Sequence, residues 1–160
     1  MPLLMKVPGI TGESKVHERV GWLGLAGFNW GGTRVVLRTT ANRQGQPQRI
    51  WAPQLRSATA RRIADAQTAQ LWNIMVTNTE LPIVKLEWLR TGSGVPICFF
   101  SIEFGGVRIA RIGEESSGEH PVESIEMLYR TITIGVRDVG NTLSGAQDMV
   151  HYAVPQNVGA

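Results

Sequence analysis

Alternation of apolar and polar side chains with a period of two recurs along this chain. It restricts the fold more than any other feature, because only an extended strand sends successive side chains to opposite faces. In residues 81–89, Val84, Leu86 and Trp88 fall on one face and Lys85 and Glu87 on the other, the pattern of a half-buried strand. Residues 95–104 repeat it, with Cys98, Phe100, Ile102 and Phe104 opposed to Phe99, Ser101 and Glu103. Between them Thr91-Gly92-Ser93-Gly94 supplies the glycines that a positive-φ turn requires, so the two segments read as a hairpin.

The same reasoning extends to both ends. Residues 3–7 form a short apolar strand, and residues 20–30 a longer one with Trp22, Phe28 and Trp30 on one side and Leu23 and Leu25 on the other. After Phe104, Gly105-Gly106 interrupts a run that resumes over 107–112, either as a tight turn or as a bulge in one long strand. Residues 123–137 are extended throughout, but the apolar face changes parity: Ile125, Met127 and Tyr129 are followed by Ile132, Ile134 and Val136. A strand passing from one packed surface to another requires such a change. Residues 31–47 are polar, arginine-rich and glycine-bearing and predict a long exposed loop, with Val35-Val36-Leu37 able to extend within it. Residues 48–55 are strand-like, and Pro53 places them at an edge. One helix is predicted at about 66–76, where Ile63, Ala66, Gln70, Trp72 and Met75 give an apolar side and Asp65 an N-cap. At 160 residues, this is one domain of many strands, one short helix and one long loop.

Several function classes lose support. No apolar run reaches the roughly 20 residues that span a bilayer. The first residues lack the basic, apolar and small-residue blocks of a secretory leader, so synthesis and folding are expected in the cytoplasm. The lone Cys98 has no disulfide partner within the chain and reads as a buried, inert thiol. His17, His120 and His151 stand without ligands at metal spacing, Gly12-Glu13-Ser14 lacks the closing glycine of a nucleophile elbow, and the glycine pairs lack a phosphate-binding context. No catalytic residue, metal or cofactor is expected. Trp22, Trp30 and Trp51 near the arginines suggest a nucleic-acid surface only until their apolar settings are considered; core packing is the better reading of Trp22 and Trp51.

Charge is segregated. Between Glu18 and Asp65 no acidic residue occurs, while Arg19, Arg34, Arg38, Arg43, Arg49, Arg56, Arg61 and Arg62 do. Glu114, Glu115, Glu119, Glu123 and Glu126 crowd a later stretch. If opposite edges of the molecule carry these stretches, one copy can dock on another through unlike surfaces. Arg34, Arg38, Arg43, Arg49, Arg61, Arg62, Glu114, Glu115, Glu119 and Glu123 are on that argument the candidate subunit-contact residues. The alternative is two solvated loop surfaces.

Collinear motifs then carry a resemblance. A short apolar strand is followed by Ile10-Thr11-Gly12-Glu13-Ser14, His17 and a segment ending Asn29-Trp30-Gly31; Ile63-Ala64-Asp65 leads into the helix; Lys85-Leu86-Glu87-Trp88 follows; Val122-Glu123-Ser124-Ile125-Glu126-Met127-Leu128-Tyr129 continues to Ile132-Thr133. In order and spacing the chain resembles the Hcp (haemolysin-coregulated protein) family of type VI secretion. The resemblance favours a bulge at Gly105-Gly106. It implies a compact β-barrel of two packed antiparallel sheets with one flanking helix, and a structural protein rather than an enzyme. It further implies hexameric rings that stack into an inner tube, with sheath, VgrG-like spike and effector proteins as partners, and export by the type VI machinery after cytoplasmic assembly. A phage-like tail tube subunit, or a small β-barrel binding nucleic acid or sugar, are the competing readings.

Overall fold

The structure is a computed structural model that describes residues 2–34, 36–37, 49–50, 53–92, 94–116, 118–137 and 147–154. Its first strands are short: β1 (Leu3–Lys6), β2 (Leu23–Gly24), β3 (Gly27–Asn29), β4 (Gly32–Thr33), β5 (Val36–Leu37), β6 (Arg49–Ile50) and β7 (Gln54–Leu55). Then come β8 (Ala58–Ile63), the helix α1 (Thr68–Val76), β9 (Leu81–Arg90), β10 (Ile97–Ser116), β11 (Pro121–Leu128), β12 (Thr131–Arg137) and β13 (Gln147–Ala153).

β10 organises the rest. Its first half pairs with β9 on one edge and β12 on the other, and its second half pairs with β11. β1 and β2 extend the sheet beyond β9, β13 extends it beyond β12, and β8 and β3 extend it beyond β11, all antiparallel. The fold is mainly β, as the alternation predicts. Among the described residues the hydrogen-bonded order is open, however, and does not close into a barrel. The segment 23–29 spans the gap: Leu25 N–H donates to Leu3 C=O on one side and Ala26 N–H to Arg61 C=O on the other. The single strand predicted over 20–30 is therefore two short ones, because this stretch leaves one partner for another at Leu25-Ala26.

The hairpin read from residues 81–104 is present, with a register shift at Phe99. Gly105-Gly106 lies inside one long strand, not a turn. Both strands of the central ribbon exchange their buried faces there. On β10 the buried side chains are Ile102 and Phe104 before the glycines and Val107 and Ile109 after; on the facing chain they are Ile125 and Met127 in β11 and Ile132 in β12. β11 and β12 thus form one long course alongside β10, broken only at Tyr129-Arg130. Gly106 adopts φ +60, and a Cβ on it would sit 2.9 Å from the Arg130 side chain. The formal register shift against β11 comes later, between Ile109 and Arg111, and moves the buried position to Ile112.

The core lies between the two halves of this bent sheet and α1, with Phe104 fully buried at its centre. Phe104 meets Tyr129 at 4.6 Å, Phe28 at 6.2 Å and Trp30 at 6.3 Å between ring centroids, while Phe28 and Phe100 both pack edge-on against Trp88. Burying one such ring stabilises by about 1.5–3 kcal/mol before its specific aromatic contacts are counted. Trp22 is buried with Leu4 and Leu89 in a second cluster, as its apolar setting implies; Trp51 lies outside the described residues. α1 begins at Thr68, two residues later than predicted. Asp65 heads the turn before it, its Oδ1 accepting from Gln67 N–H at 2.9 Å while its own N–H donates to Thr68 Oγ1 at 3.1 Å. Leu71 is the helix residue that is fully buried.

Of the predicted loop over 31–47, residues 35 and 38–47 lie outside the described set. The described flanks form two successive ladders, Gly32 and Thr33 opposite Leu55 and Gln54, then Val36 and Leu37 opposite Ile50 and Arg49. These residues make a ribbon arm rather than an unpaired loop, and the described parts of the strand predicted over 48–55, β6 and β7, lie on its returning side. The left-handed backbone at Gly106 generates a test: Gly106→Ala should lower unfolding free energy by about 1–2 kcal/mol. Gly113→Ala, at a site with open space around the new methyl, should change it little in the same urea titration.

Candidate functional site

Two of the proposed contact residues belong to the interior. β8 and β11 are neighbours, with Arg62 opposite Glu123 in register. The Arg62 side chain is 2% exposed and that of Glu123 0%. Arg62 Nη1 donates to Glu123 Oε1 at 2.5 Å and Nη2 pairs with Asp65 Oδ2 at 2.5 Å, while Thr68 Oγ1 donates to Glu123 Oε1 at 3.1 Å. The expectation that Arg62 and Glu123 lie at a subunit contact is therefore corrected: the pair joins β8, β11 and the start of α1 within one copy. Part of the charge segregation seen along the sequence is the imprint of this internal pairing.

The cluster is electrostatically tight. Glu114 stands directly across from Glu123 on β10, and its carboxylate accepts from Trp72 Nε1 of the helix at 3.0 Å. Burial pushes the Glu123 carboxyl above the ordinary glutamate range; Arg62 and Thr68 pull the other way, and Glu114 adds to the rise. Among the described residues, Glu123 Oε2 and Arg62 Nε find no hydrogen-bond partner. Desolvation is thus incompletely offset, as expected of a buried ion pair.

The remaining residues lie outside the core. Arg34 follows β4 and is exposed, Arg61 is exposed on β8 opposite Ser124 and Gly27, and Glu114, Glu115 and Glu119 are exposed along the β10–β11 hairpin end. Arg49 opens β6 opposite Leu37, whereas Arg38 and Arg43 lie outside the described residues. No ion pair joins the described arginines Arg34 and Arg61 to Glu114, Glu115 or Glu119 within the subunit. Their charges are not spent on one another.

Sequence reasoning missed two strands that shape this surface. β8 is Ala-Thr-Ala-Arg-Arg-Ile, whose small and charged residues carry little strand signal, although Ala58, Ala60 and Arg62 alternate inward. β13 carries the alternating Val150 and Tyr152, which was the available clue. On and beside it Val136, Met149 and Val150 are exposed apolar residues along the edge of the sheet.

Chemistry of other kinds finds little footing. Among the described residues no group of three or more His, Cys, Asp or Glu side chains is placed to hold a metal ion. His17 and His120 are exposed, and His151 shares a 2.8 Å hydrogen bond with Thr133. Cys98 is half-buried, donates to Phe100 C=O at 3.3 Å, and has its thiol pKa raised by burial, the opposite of what a reactive cysteine needs. No helix among the described residues is long and apolar enough to cross a membrane.

An open antiparallel sheet folded over its own core, with residual charge and an apolar edge turned outward, defines a mainly-β protein. Residues 4–135 match the family described as type VI secretion system effector, Hcp. The chain belongs to the Hcp family. A solved type six secretion system protein superposes with a TM-score of 0.81 at 19% identity, over 96% of this chain and 95% of the other. A type VI secretion system effector from Yersinia pestis gives 0.72 at 18%, over 95% and 99%, and Hcp1 from Salmonella typhimurium 0.71 at 14%, over 95% and 93%. At these identities the structural likeness speaks for the fold alone. No curated protein matches the sequence.

The buried pair makes an asymmetric prediction for urea unfolding. Arg62→Met strands the fully buried Glu123 and should cost about 3–5 kcal/mol, Glu123→Leu less because Asp65 still holds Arg62, and the double variant should regain most of the loss. The sign of the pH dependence follows from the raised pKa: the contribution of Glu123 is present below the unfolded glutamate range and fades as pH rises through the folded value. The stability advantage of the natural chain over Glu123→Gln should therefore be larger at about pH 4 than at about pH 7. An advantage that grows with pH would mean that attraction to Arg62 outweighs burial.

Proposed function

We propose that this chain is a non-enzymatic building unit of the type VI inner tube, forming hexameric rings that stack and are driven outward by a contractile sheath. A VgrG-like spike stands at the tip and small effectors travel in the lumen. Rings assemble in the cytoplasm and leave through the apparatus itself. Membership of the Hcp family over residues 4–135 is the observation that carries this reading.

The surface supports it in physical terms. Ring closure by a heterologous contact needs two different patches on each copy. Exposed Arg34, with Arg38, Arg43 and Arg49 in the same stretch, supplies one sign of charge, and Glu114, Glu115 and Glu119 supply the other. Arg61 contributes from the open face of β8. Exposed pairs of this kind contribute only about 0–1 kcal/mol each, so they set orientation while apolar and backbone contacts supply most of the binding. The exposed Met149 and Val150 on the last strand and Val136 beside it are suited to that larger share.

Negative-stain imaging of the purified protein should show annular particles, and a sizing column should give a mass far above the 17.6 kDa of one chain. A monomer at every concentration would sink the reading. Reversal of charge at Arg34 and Arg38 should weaken ring stacking at low salt and have less effect at high salt. Unchanged assembly at all salt concentrations would remove the charge-docking mechanism while leaving ring formation standing.

A further inference from the structure

Trp30 and Tyr129, which belong to two separate motifs of the pattern, meet in space although they lie 99 positions apart, and the meeting occurs at the root of the ribbon arm. Trp30 immediately precedes the arm's outgoing limb, which starts with Gly31 and β4; Arg56 immediately follows the returning limb, which ends in β7. Trp30 Nε1 donates to the Tyr129 hydroxyl at 2.5 Å, and that hydroxyl donates to Arg56 C=O at 2.8 Å. One oxygen thus ties both feet of the arm to the body. An indole N–H only donates, so the order of the relay is fixed: Tyr129 must accept from Trp30, and its single proton is left for Arg56.

We propose that Tyr129 is a positioning residue that fixes the direction in which the ladder of Gly32–Thr33 with Gln54–Leu55, the described base of the arm, leaves the subunit. Three further observations support the assignment. Tyr129 itself packs at a tilt of 45° against the fully buried Phe104, with ring centroids 4.6 Å apart, and lies at the break between β11 and β12. The feet are drawn together at the same level: Arg56 N–H donates to Gly31 C=O at 2.9 Å, and the Arg56 guanidinium lies so close over Gly31 that an added Cβ would sit 2.6 Å from it. Ser57, next along the return, donates to Glu126 Oε1 of β11 at 2.8 Å, so β11 and the Tyr129 that follows it hold the chain at two successive residues. The arm's first ladder has only two residues on each side, and Gly32, Thr33 and Gln54 are exposed. A two-stranded ribbon of that size has little stability of its own, so its orientation must be imposed from the root.

The consequence for assembly rests on the reading that arginines of this stretch contact a neighbouring copy. An arm free to swing would present those arginines over many directions, and each contact would lose the entropy of ordering it.

Tyr129→Phe removes the hydroxyl and keeps the ring on Phe104. Hydrogen exchange on the assembled protein should show the Arg56 amide and the amides of Gly32–Thr33 and Gln54–Leu55 exchanging roughly tenfold faster, with β9 and β10 unchanged. Trp30→Phe, which leaves the bond from Tyr129 to Arg56, should loosen the same amides less, and adding it to Tyr129→Phe should change little. Unaltered exchange at the root, acceleration spread equally into β9 and β10, or fully additive single effects would each overturn the assignment. Tube stacking followed by electron microscopy separates the two ideas. A loosened root with weakened stacking supports both, whereas a loosened root with normal stacking upholds the clamp and overturns the docking role of the arm.

Discussion

The pairing of β10 with everything around it is the constraint on which the rest of the structure depends. Twenty residues of one strand serve β9, β12 and β11 in turn, so the strand must bend and must change which side chains it buries. A one-residue change of parity would normally turn an apolar set to solvent. Here it is harmless because β10 and its partner course change together, at Gly105-Gly106 on one and Tyr129-Arg130 on the other. Glycine is required at this point for two separate reasons. Gly106 takes a left-handed φ, and a Cβ on Gly105 would collide with the Thr131 hydroxyl. Phe104 and Tyr129, flanking the crossing, then fill the space that the bend creates.

The same crossing explains why charge along the chain is a poor map of charge in space. Arginines and glutamates that lie far apart in sequence are brought side by side where β8 pairs with β11, and Arg62 and Glu123 disappear into the subunit with Asp65. Only residues whose strands have no facing partner of opposite sign keep their charge available to another molecule. Arg34, Arg61 and the Glu114, Glu115 and Glu119 group meet that condition among the described residues, although Glu114 already accepts from Trp72. Burial thus sorts the charged residues into those that align secondary structure and those left to meet another molecule, a distinction that no count along the sequence supplies.

Much of the fold was legible because strands half-buried on one face write their periodicity directly. Val84, Leu86 and Trp88, and the change of parity after Tyr129, were sufficient to find β9 and the crossing course. Other elements were not, for identifiable reasons. β8 buries alanines and an arginine, so its inward face lacks the bulky apolar residues that mark a strand. The stretch at 20–30 has apolar residues on both sides because it bridges two partners, which resembles one covered strand until pairing is known. Sheet closure depends on where edges meet, and nothing in a single chain's alternation encodes it. At the candidate site, arginine and glutamate residues were found by type, but whether each faces inward depends on register. Arg61 and Arg62 are adjacent in sequence and opposite in fate for that reason alone.

Structures with 14–19% identity superpose on this chain over nearly its whole length, which implies that few side chains are individually demanded. Physical reasoning identifies where demand concentrates. Core positions such as Val84, Leu86 and Ile102 need to be apolar and of suitable size, a requirement that several residues can meet. The crossing requires a glycine where φ is positive and an aromatic ring able to pack beside it. Tyr129 satisfies the packing need with its ring and a polar need with its hydroxyl, so neither phenylalanine nor a smaller polar residue replaces it fully. Glu123 is bound to its position by Arg62 in the same way, since either residue alone is worse than neither. Tolerance in the core and intolerance at these few crossing points are compatible within one fold, because the first depends on volume and the second on single directed hydrogen bonds.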